Sequence, residues 1–206
     1  MISNSKTEEL FVSPVLTFDV DSDVNKVCEE MERIDDWKTK LIAHELPGTE
    51  IQKMYDEIHQ EIIKYSAKYN LPGEVTLGTA WRIWHDYGER ETAHFHLGGF
   101  FSSIVYLKTP VGGGDLLVMD PRGPICWNMF STEDYNKLNP GASDCRVYQR
   151  IIPHAGRVVV LPSWLIHYSE QNFSQESRVL VVSDWTLTGW QTVQRDEDYK
   201  TDVTNL

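Results

Sequence analysis

From Val75 to about Leu187 the chain is divided into short runs rich in β-branched and aromatic residues, separated by Gly, Pro, Asn and Asp clusters. No other feature constrains the fold as much. The runs that predict strands are TLGTAWRIWH, ETAHFHL, FFSSIVYLK, DLLVMD, RVYQRII, GRVVVLP, HYSE and SRVLVVSDWTL. Eight short strands in about 110 residues suit a sandwich or a barrel closed by hairpins.

The N-terminal third reads differently. After a short opening strand, LFVSPVLTFDV, the segment from Asp21 to about Lys40 begins with Asp and Ser capping choices and continues at helical spacing, which predicts a first helix. Pro47-Gly48 interrupts that pattern. Ile51, Met54, Tyr55, Ile58, Ile62 and Tyr65 then recur at i, i+3, i+4 until Leu71-Pro72-Gly73, which predicts a second, amphipathic helix. The last stretch, QRDEDYKTDVTNL, is charged and reads as a loosely held tail. With 206 residues, no internal repeat and no low-complexity linker, the expectation is one domain over 1–206. Within it, 1–73 supply the opening strand and two packing helices, 74–190 the β core, and 191–206 the polar tail. The fold class is mainly β with N-terminal helices (α+β).

Charge and cysteine content exclude several classes of partner and setting. Thirty-one acidic against nineteen basic residues give a formal charge of −12, which repels nucleic acid and anionic membrane surfaces in the absence of a concentrated basic patch. No such Lys/Arg cluster occurs. Cys28, Cys126 and Cys145 are an odd number without CxxC spacing, so neither a disulfide framework nor a structural zinc site is indicated. A reducing, cytoplasmic setting is expected. The polar N-terminus lacks the basic-then-apolar layout of a secretory signal, and no apolar run approaches ~20 residues.

Within the β-rich part, His94-Phe95-His96 lies in a predicted strand, where side chains at i and i+2 leave the same face and both imidazoles can reach one metal. Alone, the pair also fits two exposed or hydrogen-bonded histidines. A second feature, Pro162-Ser163-Trp164-Leu165-Ile166-His167, follows the apolar run GRVVVLP and ends on a lone histidine. The order HxH, glycine-punctuated GGGDLL, then Gly-x5-Pro and a single His matches the way double-stranded β-helix (jelly-roll, cupin-like) barrels collect three metal ligands at one mouth. Gly88-x5-His94-x-His96 and Gly156-x5-Pro162-x4-His167 look like the two cupin signatures. However, LGGFFSS stands where a cupin carries its glutamate.

A closer likeness covers more of the chain. LFVSPVLTFDV, AHFHLGGFFSSIVYLKTP, GGGDLLVMDPRG and GRVVVLPSWLIHYSEQNFSQESRVLVVSDW resemble, in order, the blocks of a family of 2OG-Fe(II) oxygenases found in bacteria and their phages. The stretch PSWLIH and the tripeptide DPR are the most specific parts. The resemblance implies a double-stranded β-helix that holds Fe(II) and uses 2-oxoglutarate as cosubstrate, with His94, His96 and His167 as metal ligands and catalytic centre. It also implies that Arg178, 11 residues after His167, pairs with the far carboxylate of 2-oxoglutarate, a role a bidentate guanidinium serves well. Tyr106 is placed in the cosubstrate pocket, and Asp120 and Arg122 at a substrate site in the barrel mouth. Tyr106 reads equally as an ordinary strand residue, and Asp120-Pro121-Arg122 as a turn.

The chain departs from the 2-His-1-carboxylate triad usual in that superfamily, because His96 occupies the carboxylate position. Three arrangements are open. All three histidines bind; or Asp115 or Asp120 supplies an oxygen ligand; or His96 and His167 bind alone, with Gly98 leaving a vacant position. Trp81 and Trp84 should face opposite sides of one strand, so at most one enters the pocket, and core packing is the default for both. His44, His59, His85 and His154 lack paired spacing and read as non-ligands. The reaction implied by the resemblance is hydroxylation of a small-molecule or peptidyl substrate. The competing readings are a cupin-like metal-dependent dioxygenase or isomerase without 2-oxoglutarate and a non-catalytic β-helix binding module. The first strand and helices offer a face on which a dimer could form.

Overall fold

The computed structural model describes residues 13–32, 46–121 and 148–188. Its elements are β1 (Leu16–Asp19), α1 (Val24–Glu32), α2 (Glu50–Lys68), β2 (Val75–His85), β3 (Phe101–Lys108), β4 (Leu116–Met119), β5 (Tyr148–Ile151), β6 (Arg157–Pro162), β7 (His167–Ser169) and β8 (Arg178–Leu187). The first predicted helix is therefore seen as α1, and the remainder of its expected range, like the C-terminal tail, lies outside the described residues. No helix among the described residues is long and apolar enough to cross a membrane.

The helices form where the sequence spacing places them. Asp23 accepts from Asn25 and Lys26 N–H at the start of α1, and Thr49 Oγ1 accepts from Gln52 N–H at the start of α2. Each helix also caps the start of the other: Glu50 of α2 accepts from Asp23 N–H, and Glu30, near the end of α1, accepts from Ile51 N–H. Each carboxylate thereby satisfies a backbone donor that its neighbour's helix leaves open. At the other end of α2, Gly73 turns the chain into β2 with φ 105°. A Cβ there would lie 1.9 Å from the Thr188 carbonyl oxygen, so only glycine permits this approach to the end of β8.

The strands form two antiparallel sheets, one of five strands in the order β1-β6-β3-β8-β2 and one of three in the order β5-β4-β7. Among the described residues neither sheet closes on itself, so the expected closed barrel is seen as two open sheets. Strand β8 pairs with β3 on one edge and β2 on the other. Its alternation separates two cores. On one face Val179, Val181, Trp185 and Leu187 join Val105, Leu107, Val158 and Val160 against Val27, Met31, Ile51, Met54, Ile58 and Ile62 of the helices. On the other, Leu180 and Val182 join Ile104, Tyr106, Val159 and Leu161 against Leu116 and Val118 of the small sheet. Two polar pairs face the helices: Trp185 Nε1 donates to Ser103 Oγ at 2.9 Å, and Ser183 Oγ donates to the Tyr55 hydroxyl at 3.2 Å.

One predicted strand is corrected. ETAHFHL is an extended segment that follows β7 in antiparallel sense, but it meets β7 in ladder geometry only at the bridge His94↔His167. Elsewhere it is held by single bonds, from Ser169 N–H to the Glu91 carbonyl and from His96 N–H to the Ser163 carbonyl. The alternation in its sequence is real, but the partner strand is too short to continue the ladder.

Because Ile58 of α2 is fully buried against the large sheet, Ile58→Ala should lower folding stability by ~2–5 kcal/mol. Denaturant melts of the metal-free protein would measure the loss, and an Ile58→Ala midpoint equal to wild type would contradict this packing.

Candidate metal centre and its cavity

The cavity between the two sheets measures about 480 Å³, within the range of small-molecule sites. Its floor comes from alternate residues of the large sheet: Trp81, Ile83 and His85 of β2, Ile104 and Tyr106 of β3, and Leu180, Val182 and Asp184 of β8. Strand register arranges these residues in rows, with Ser102 beside Asp184, Ile104 beside Val182 beside Trp81, Tyr106 beside Leu180 beside Ile83, and Arg178 beside His85. One end of the floor is polar, the middle is apolar and the other end is polar again. The walls come from Leu116, His167 and Ser169 and from the segment carrying Glu91, His94 and His96.

His94, His96 and His167 converge at one end. A ring nitrogen of each lies within 4.8 Å of the others, and this is the group of His, Cys, Asp or Glu residues suited to a metal among the described residues. Backbone pairing produces the convergence: His94 N–H donates to the His167 carbonyl and His167 N–H to the His94 carbonyl, both at 3.0 Å. His96 follows two residues on and faces the same way. In all three rings Nδ1 is engaged by an acceptor. His94 Nδ1 lies 2.6 Å from the Thr92 carbonyl, His167 Nδ1 2.9 Å from the Leu165 carbonyl, and His96 Nδ1 2.7 Å from Asp184 Oδ1. A carbonyl or carboxylate can only accept, so each Nδ1 carries hydrogen and each neutral ring keeps its lone pair on Nε2. Three Nε2 donors with their other nitrogens anchored form a donor set that fits a first-row divalent metal.

The alternative oxygen ligands are occupied elsewhere. Asp115 forms an ion pair with Arg150 at 2.8 Å in the wall of a separate cavity of about 760 Å³. Asp120 follows β4 outside the histidine group, and Arg122 lies outside the described residues. Tyr106 is fully buried in the cavity floor, and burial pushes its phenol well above the ordinary range.

Arg178 is buried at the far end of β8. Its guanidinium donates to the carbonyls of Gly113, Gly114 and Glu170, to Ser169 Oγ at 2.9 Å and to His85 Nδ1 at 2.8 Å. It lines the separate cavity and meets the histidine cavity through Ser169 and His85, which stand in the latter's wall. Since His85 accepts on Nδ1, its Nε2 is the donor toward Glu91, at 3.3 Å. Burial, then the neighbouring Arg178 charge, hold the His85 ring below its usual range. His59 stacks on Trp185, and His154 pairs with Asp19. Trp81 enters the cavity against His96, with ring centroids 5.5 Å apart, whereas Trp84 packs on the helix-side core. Sequence reasoning did not identify Asp184, Ser169 or Glu91. Asp184 carried one signal, a carboxylate inside the apolar run SRVLVVSDWTL.

Residues 79–184, just over half of the chain, match the model of a family described as "Putative 2OG-Fe(II) oxygenase". No curated protein matches the chain by sequence. Among solved structures, it resembles a prolyl-4-hydroxylase from Pseudomonas putida at 14% identity and TM-score 0.58, covering 87% of this chain and 91% of that one. It also resembles HygX from Streptomyces hygroscopicus, solved with nickel and 2-oxoglutarate bound, at 12% identity and TM-score 0.55, covering 86% and 83%. Against an oxidoreductase of the 2OG-Fe(II) oxygenase family from Burkholderia pseudomallei the chain spans about half of that protein's length, 49%, with 59% of its own covered, 14% identity and TM-score 0.41.

The buried His167 ring generates a pH dependence. Burial holds its titration down to about 4, aided by the charges its histidine neighbours would carry, against 6.5 for a free ring. Between those values the unfolded chain binds the extra proton. The stabilisation from a neutral His167 is therefore complete above about 6.5 and is lost as pH falls through about 4, a change on the order of 3 kcal/mol. Stability of the metal-free protein measured from pH 7 to pH 4 should fall more steeply for wild type than for His167→Gln, and parallel curves would contradict the buried neutral ring.

Proposed function

The chain belongs to the 2OG-Fe(II) oxygenase family, and on that premise we propose that it is an iron(II)- and 2-oxoglutarate-dependent dioxygenase that hydroxylates a small-molecule or peptidyl substrate inside a double-stranded β-helix. The observation that carries this reading is the convergence of three histidines whose Nδ1 atoms are all engaged, leaving three Nε2 atoms available as ligands in one group that lines a cavity. His94, His96 and His167 would hold the iron, and the cavity they line would admit cosubstrate and substrate. Bound there, iron(II) supplies oxidative decarboxylation of 2-oxoglutarate to succinate and carbon dioxide, coupled to insertion of one oxygen atom into a substrate C–H bond.

The remaining residues bind, orient and exclude water. Ile83, Ile104, Leu116, Leu180 and Val182 form an apolar belt that keeps the reacting centre dry and strengthens each polar contact within it. At the far end Arg178, which reaches the histidine cavity through Ser169 and His85, would supply the cation for the distal carboxylate of 2-oxoglutarate, the carboxylate displacing bonds the guanidinium now makes to those two residues. Asp120 and Arg122 remain our candidates for substrate contact. The bound nickel and 2-oxoglutarate of HygX support the cofactor assignment, and the prolyl-4-hydroxylase of the same fold supports hydroxylation as the outcome.

Titrating 2-oxoglutarate into the anaerobic, iron-loaded protein should produce a metal-to-ligand charge-transfer band. His167→Ala should abolish it through loss of metal. Arg178→Ala removes one partner of a buried charge contact worth roughly 2–5 kcal/mol, so it should weaken 2-oxoglutarate binding by about 30-fold or more with iron affinity retained. Arg178→Lys should fall between wild type and Arg178→Ala. A wild-type protein that binds iron but not 2-oxoglutarate would favour the cupin-like reading instead.

A further inference from the structure

We infer that Asp184 is a positioning residue of the metal centre: its carboxylate orients His96 and fixes hydrogen on Nδ1, so that His96 acts as the third ligand in place of the carboxylate the sequence lacks there. The inference rests on the metal site proposed above and goes beyond it by assigning a role to a residue outside the ligand set.

The three histidines are oriented in two different ways. His94 and His167 each donate from Nδ1 to the carbonyl of the residue two positions earlier, Thr92 and Leu165. This is a local contact that an extended backbone offers without further design. For His96 the corresponding carbonyl belongs to His94, and it already accepts the His167 N–H in the bridge that joins the two ligand segments. His96 instead takes its acceptor from β8, 88 residues away in sequence.

The surroundings of Asp184 are built for this contact. A carboxylate buried in the middle of a five-stranded sheet is costly unless paired. Here Oδ1 accepts from His96 Nδ1 at 2.7 Å and from Ser102 Oγ at 2.8 Å. Ser102 Oγ also lies 2.8 Å from Ser163 Oγ, and the Ser163 carbonyl accepts the His96 N–H. One small cluster therefore fixes both the ring and the backbone of His96. The glycine pair after HxH makes room for it. A Cβ on Gly98 would lie 3.3 Å from Asp184 Oδ2, and one on Gly99 would lie 3.0 Å from both Asp184 Cβ and Ser163 Oγ. Three neutral imidazoles bring no negative charge to a divalent cation. Asp184 supplies one through the His96 ring, raising that ligand's basicity as carboxylate–histidine–metal arrangements do.

The test uses Co(II) binding to the metal-free protein, followed by visible absorption, and needs no turnover. Asp184→Ala should weaken Co(II) binding by up to ~100-fold, and Asp184→Asn, whose amide oxygen can still accept from Nδ1 without the charge, by about 10-fold. Both should shift the Co(II) spectrum. Ser183→Ala, which removes a buried hydrogen bond to Tyr55 from the opposite face of the same strand, should lower Tm but leave affinity and spectrum unchanged. The near-isosteric Asp184→Asn keeps the test available if Asp184→Ala does not fold. Folded Asp184 variants with wild-type affinity and spectrum, or affinity losses matched by Ser183→Ala, would overturn the inference and leave the metal centre standing. A wild-type protein that binds no Co(II) would overturn both.

Discussion

Strand β8 is hydrogen-bonded along both edges, and its two-residue alternation fixes what lies on either side of the large sheet. Val179, Val181, Ser183, Trp185 and Leu187 turn one way, and Arg178, Leu180, Val182 and Asp184 the other. The first set is mostly apolar and must be covered, which α1 and α2 do. The second carries a cation at one end, an anion at the other and aliphatic side chains between. A one-residue slip of β8 would place Asp184 and Arg178 among the helices without partners, a cost large enough to fix the register.

The second constraint is the reciprocal pair of backbone bonds between His94 and His167. It is an isolated bridge, yet it sets the distance between the two ligand-bearing segments and determines which carbonyls remain for orienting the rings. The segment around it is irregular because β7 is only three residues long and cannot carry a full ladder. Irregular backbone on both sides of a pinned pair leaves Phe95, Leu97, Trp164 and Ile166 exposed around the histidines.

Much of this was legible in the sequence wherever the signal is local. The stripe Ile51, Met54, Tyr55, Ile58, Ile62, Tyr65 predicts α2, and all six residues are buried along it. The i, i+2 spacing of His94 and His96 places both rings on one side even though the expected strand is absent. Contacts joined only by tertiary pairing were not legible. Asp184 meets Ser102 because β3 and β8 share a register, and it meets His96 across the cavity, and no spacing within any of these segments reveals either contact. The same holds for His85, which reads as an unpaired histidine until Arg178 appears opposite it across the β2–β8 ladder.

The opposite ends of β8 carry opposite charges for connected reasons. Arg178 spends its hydrogen bonds on three carbonyls, Ser169 and His85, so its guanidinium is held in place although burial pulls its pKa down. Asp184 is held as firmly by His96 and Ser102. Along a strand rising ~3.3 Å per residue, the two Cα atoms are separated by about 20 Å, with only the aliphatic Leu180 and Val182 on the same face between them. The belt between them keeps the two polar ends apart, so each charge is satisfied by its own neighbours in the fold and not by the other.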